Sequence, residues 1–92
     1  MCLTAFQSEC ERQLMPMLEE LGWLVVERRI EGVNEKYIRI QVQQPAVSLF
    51  VYEDEAGIQG RDIDIRLEHP DYQNPDKLIA GLLRSIRELN AT

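Results

Sequence analysis

Residues 37–43 and 47–52 each alternate apolar and polar side chains, with a break at Gln44–Pro45 between them. Ile38, Ile40 and Val42 fall on one side of the first run, opposite Tyr37, Arg39 and Gln41. In the second, Val47, Leu49 and Val51 oppose Ser48, Phe50 and Tyr52. A period of two belongs to a strand with one buried face. Strands joined by so short a link must run antiparallel, because a parallel return needs a crossover of a dozen or more residues. Proline, which has no N–H for a ladder, fits the break.

Two further segments extend this sheet. Residues 23–30 are rich in β-formers and lead into the turn 31–36, and residues 62–68 set Ile63, Ile65 and Leu67 opposite Asp62, Asp64, Arg66 and Glu68. Residues 53–60, polar and bearing Gly57 and Gly60, read as a connection between strands.

Helical periodicity brackets the strands. Thr4 and Gln7 have the spacing of a capping box, and Phe6, Cys10, Leu14, Met17, Leu18 and Leu21 form one apolar stripe, with Gln7, Glu11, Arg12 and Glu19 off it. Pro16 breaks one helical hydrogen bond, which predicts a kink or a restart there, and Gly22 suits the left-handed residue past a helix end. At the other end Asn74, Pro75 and Asp76 mark an N-terminus, and Leu78, Ile79, Leu82, Leu83, Ile86 and Leu89 form a second stripe. The expectation is one α+β domain over residues 1–92. It has two layers in the order α-β-β-β-(β)-α, with an antiparallel three- to four-stranded meander and two helices packed on one face. Ninety-two residues suffice for one core without staples. No apolar run approaches the ~18 residues of a membrane span, and no secretory signal opens the chain, so a cytoplasmic, membrane-free protein is expected.

The residue inventory supports little chemistry. His69 is the one histidine, which removes multi-histidine metal sites and weakens nucleophile–base pairs; a base role with Asp71 or Glu68 lacks a credible nucleophile. Cys2 and Cys10 match no zinc or redox spacing and read as reduced thiols, Cys10 within the core. Gly57 and Gly60 have no lysine or following helix to make a phosphate loop. No catalytic residue, metal ligand or cofactor site is therefore assigned.

Charge and aromatics say more. Sixteen acidic residues against ten basic ones give −6, and the segment 53–76 carries all of it, with eight carboxylates against Arg61 and Arg66. Such a field repels phosphate backbones and attracts cations, which argues against nucleic acid and for a basic protein partner. If Leu24, Val26 and Ile30 join the other inward residues under the helices, then Trp23, Val25, Tyr37, Phe50 and Tyr52 point outward among Arg29, Arg39 and Arg66. Exposed aromatics interleaved with arginine have interface composition. The expected partner-binding residues are Trp23, Tyr37, Arg39, Phe50, Tyr52, Asp62, Asp64 and Arg66. The leading expectation is a non-enzymatic protein-binding module: an adaptor, chaperone or inhibitor. The alternatives are a homodimer joined sheet to sheet and a metal-binding enzyme with carboxylate ligands.

Overall fold

The computed structural model describes residues 3–68 and 74–91. Cys2, His69 and Asp71 lie outside them. The order is α1 (Ala5–Glu20), β1 (Val25–Glu31), β2 (Tyr37–Val42), β3 (Val47–Val51), β4 (Glu55–Gly60), β5 (Asp64–Glu68) and α2 (Pro75–Ala91). The five strands form one antiparallel meander in chain order. Both helices lie on one face of it, chiefly over β3, β4 and β5, and touch each other. This is the two-layer α+β architecture expected, with one more strand.

The additional strand is β4, taken from the stretch read as a connection. Its two glycines and few β-branched residues give it low strand propensity. Pairing with β3 on one side and β5 on the other decides its conformation, as packing commonly overrides propensity in sheets. Ala56 and Ile58 then join the core, leaving Glu55, Gly57 and Gln59 to face outward.

α1 begins with the capping box. The Thr4 hydroxyl accepts from the Gln7 N–H at 3.1 Å, and the Gln7 Oε1 accepts from the Thr4 N–H at 2.9 Å. Gln7 is not off the buried stripe as its spacing suggests; it is 1% exposed. Its Nε2 donates to the Lys36 carbonyl at 2.7 Å and the Val51 carbonyl at 3.2 Å. One amide thus caps the helix and ties its start to the sheet. Pro16 sits within a helix that continues to Glu20, on its exposed side.

At the other end of α1, Gly22 has φ +76°, a left-handed conformation that costs a glycine nothing. The Trp23 N–H donates to the Leu18 carbonyl at 2.9 Å and the Gly22 N–H to the Glu19 carbonyl at 3.1 Å. These are the paired bonds of a Schellman ending, which customarily brings its two flanking apolar residues together. Leu18 and Trp23 are accordingly both buried, and the indole Nε1 donates to Asn90 Oδ1 of α2 at 3.0 Å. The expectation that Trp23 stands on the outer face is therefore corrected: it is 5% exposed and belongs to the core.

β1 carries a second correction. Val25 pairs with Val42 but Glu27 pairs with Gln41, so the strand holds an extra residue at Val26. This bulge reverses the parity upstream of it. Val25, expected outward, packs against the core, whereas Leu24 and Val26, expected beneath the helices, are 57% and 51% exposed. Arg28 and Ile30 keep the helix side, in register with Ile40 and Ile38. Arg28 forms a bidentate pair with Glu11 of α1, at 2.6 and 2.7 Å, which bridges the gap the helices leave over this edge.

α2 starts as its sequence indicates, with Asn74 Oδ1 accepting from the Lys77 N–H at 2.9 Å and Asp76 in the first turn. Leu78, Ile79, Leu82 and Ile86 are fully buried, each contributing about 2 kcal/mol from apolar area removed from water.

The Gln7 amide yields a specific expectation. Gln7→Leu keeps the volume but strands the Thr4 N–H and the carbonyls of Lys36 and Val51, at a cost of about 2–4 kcal/mol, whereas Thr4→Ala removes only the cap, at about 1 kcal/mol. Urea unfolding of both variants measures the difference. Equal costs would show that the amide contributes nothing beyond the cap.

Candidate functional site

The outer face is ordered by strand register into rows that cross the sheet. The middle row runs Arg29, Arg39, Phe50, Gly57, Arg66 from β1 to β5. On one side Glu27, Gln41, Ser48, Gln59 and Asp64 form a polar row. On the other, Glu31 pairs with Tyr37 and Glu55 with Glu68, with Tyr52 between them at the β3–β4 turn. A cationic row thus lies between two rows that carry carboxylates. Arg66 meets Glu55 at 3.1 Å and Glu68 at 3.3 Å, while Arg29 and Arg39 each lie 3.9 Å from Glu31. These exposed pairs add little stability each. What they do is hold the guanidiniums in place and mask part of the acidity of residues 53–68.

Tyr37, Phe50 and Tyr52 form one half-buried cluster at the centre. Ring centroids are 4.7 Å apart for Tyr37–Tyr52, 6.2 Å for Tyr37–Phe50 and 6.3 Å for Phe50–Tyr52, within the range of favourable aromatic contact. The Tyr37 hydroxyl donates to Glu31 Oε1 at 3.3 Å. Burial, with Tyr37 and Glu55 nearby, raises the pKa of the Tyr52 phenol above its ordinary value.

Gly57 stands directly opposite Phe50 and contributes no side chain to the face. The result is a shallow groove of about 380 Å³ between Phe50 and Tyr52 on one side and Asp64 and Arg66 on the other, with the backbone of β4 as its floor. A Cβ at residue 57 would lie 2.9 Å from the Ile65 carbonyl oxygen, so the position is closed to larger residues unless β5 shifts.

Six of the eight expected partner-binding residues are gathered here: Tyr37, Arg39, Phe50, Tyr52, Asp64 and Arg66. Asp62 is exposed in the turn between β4 and β5, beside this face rather than on it. Trp23 lies across the sheet in the core. Sequence reasoning passes over Gly57, Glu31 and Glu55; the alternation of residues 55–60 is the signal that identifies the two on β4, while Glu31 is placed by its pairing with Tyr37. Among the described residues no group of three or more His, Cys, Asp or Glu converges to hold a metal ion. Comparison with protein-family models, curated proteins and solved structures gave no match.

Cys10, the nucleophilic side chain deepest in the described fold, is fully enclosed, and burial first, then Glu11, pushes its thiol up to about 12. Because the folded value lies above the unfolded one, ionisation opposes folding: stability from this group falls as pH rises from about 9 towards 12. In a Cys2→Ser protein, a thiol reagent at pH 8 is expected to label Cys10 only as fast as the fold opens. Labelling at the rate of a free thiol in native buffer would contradict the placement of this residue.

Proposed function

We propose that this protein is a non-enzymatic binding module that holds a protein partner on the outer face of its sheet. The groove over Gly57 carries the reading. It joins a half-buried aromatic wall to charged groups of both signs on a rigid sheet, and the helices leave that whole face uncovered. Aromatic anchors in a concave, partly desolvated site are what concentrates binding energy at protein interfaces.

The chemistry of the groove describes the partner. An apolar side chain would sit over Gly57 against Phe50 and Tyr52, displacing loosely held water. Five carboxylates (Glu27, Glu31, Glu55, Asp64 and Glu68) against three arginines leave the face acidic, so basic groups flanking that apolar residue would complete the fit and speed encounter. Rim charges of this kind act mainly on association rate and salt dependence.

Capture from an extract of the source cells with three otherwise matched variants provides the test. Phe50→Ala is expected to weaken recovery of the partner by tenfold or more, as for an anchor residue worth about 2 kcal/mol. Asp64→Lys should weaken it chiefly at low salt, and Arg84→Glu, on the exposed side of α2, should leave it unchanged. Recovery indifferent to Phe50→Ala would refute the assignment of this face.

A further inference from the structure

β1 is an edge strand: it pairs with β2 on one side and offers its other side unpaired. Among the described residues, the large hydrophobics that stand exposed are Leu24, Val26, Ile30 and Val33, at 57%, 51%, 47% and 91%. All four lie in β1 or beside it. The other edge differs, for β5 buries Leu67 and half-buries Ile65. Apolar exposure confined to one unpaired edge marks that edge as a surface that is covered in use.

The charges of β1 identify what covers it. Edges are commonly protected by charge, and a run of one sign would repel a second copy. Here Glu27 and Arg29, of opposite sign, flank Arg28, so that the strand sets each against the other when it is reversed. We propose that β1 pairs antiparallel with β1 of a second copy, about a two-fold axis through Arg28 and perpendicular to the sheet, so that two sheets become one. In this register Glu27 faces the Arg29 of the other copy, twice, on the outer face. Val26, the bulge residue, comes opposite Ile30, twice, at the two ends of the stretch over which the faces match, and joins two half-exposed apolar side chains across the junction. Arg28 meets its own equivalent on the axis, a contact that would repel were each guanidinium not already neutralised by Glu11 of its own chain at 2.6 and 2.7 Å.

Of the neighbouring registers that keep matching faces together, two fail on charge and the third on the extent of the strand. Centring on Glu27 sets Glu27 against Glu27 and Val26 against Arg28. Centring on Arg29 sets Arg29 against Arg29 and Glu27 against Glu31, twice. Centring on Ile30 sets Arg29 against Glu31, twice, but it carries the pairing past the end of β1 at Glu31, placing Arg28 opposite Gly32, whose φ of +103° is not that of a strand. Like charges directly opposite are unfavourable in a ladder and opposite ones favourable; the Arg28 register alone combines opposite charges with pairing that stays within β1, and it is selected on both grounds. No residue of β1 lines the groove over Gly57, although Glu27 and Arg29 belong to the same outer face.

Sedimentation equilibrium up to high micromolar concentration tests the pairing, using wild type, Glu27→Arg, Arg29→Glu and the double exchange Glu27→Arg/Arg29→Glu. Wild type is expected to dimerise, less so as salt is raised. Each single reversal turns two attractive contacts into repulsive ones and should weaken the dimer about tenfold or more, and the double exchange should restore it to near wild type. Phe50→Ala should leave dimerisation unchanged. A monomer throughout overturns the proposal. So does a dimer that ignores the single reversals, one the double exchange fails to rescue, or one that Phe50→Ala dissociates, the last pointing to face-to-face association.

Discussion

The fold is organised around one buried amide. Gln7 accepts from the backbone that starts α1 and donates to the carbonyl of Val51 in β3 and that of Lys36 just before β2, so both of its polar atoms are bonded where water does not reach. A buried amide left unbonded would cost more than its bonds contribute, which makes the arrangement nearly all-or-none. It sets where the first turn of α1 sits relative to the end of β3 and the turn before β2. Phe6, Cys10, Leu14 and Leu18 then follow at helical spacing onto the sheet. The Schellman ending and the Trp23–Asn90 bond do the same for the far end of α1, so the helix is pinned at both termini by polar bonds and along its length by apolar contact.

Much of this was legible in the sequence for physical reasons. The strands β2 and β3 announce themselves because each buries one face only, so period two survives in the residues. α2 is plain for the same reason and because Asn74, Pro75 and Asp76 form its start. The capping box is local and therefore legible in residues 4–7, unlike the second role of its glutamine. Nothing at residues 4–7 indicates that the donor end of Gln7 reaches residues 29 and 44 positions away. β4 escaped because glycine at an outward position is a property of its neighbours: Phe50 and Arg66 flank it, and Ile65 leaves no space above it. Strand parity extended back across the bulge puts Trp23 on the wrong face, although Leu18 and Gly22-Trp23 hold the signature of the helix ending that turns the indole inward.

The outer face shows how charge read along a chain differs from charge read across a sheet. Along the sequence, residues 53–76 are an acidic block. In the sheet, Arg66 stands between Glu55 and Glu68, and the arginines of β1 and β2 continue its row. The field near the aromatic cluster is therefore one of alternating stripes rather than a uniform negative patch. Stripes favour a partner of matching pattern over one that is merely basic, which is a route to specificity rather than to affinity.

The bulge in β1 has a consequence for uniqueness of the native state. A strand under a core is held in register by burial, because a slip of one residue would turn its apolar side chains to water. β1 is mostly exposed, so burial alone would let it slide along β2. The extra residue at Val26 removes that freedom, since a slipped strand would carry its kink to a place where β2 pairs regularly. Trp23 anchors one side of the kink in the core and Arg28 the other side to α1. An irregularity in the ladder thus serves as the index mark by which the least buried strand of the sheet finds its place.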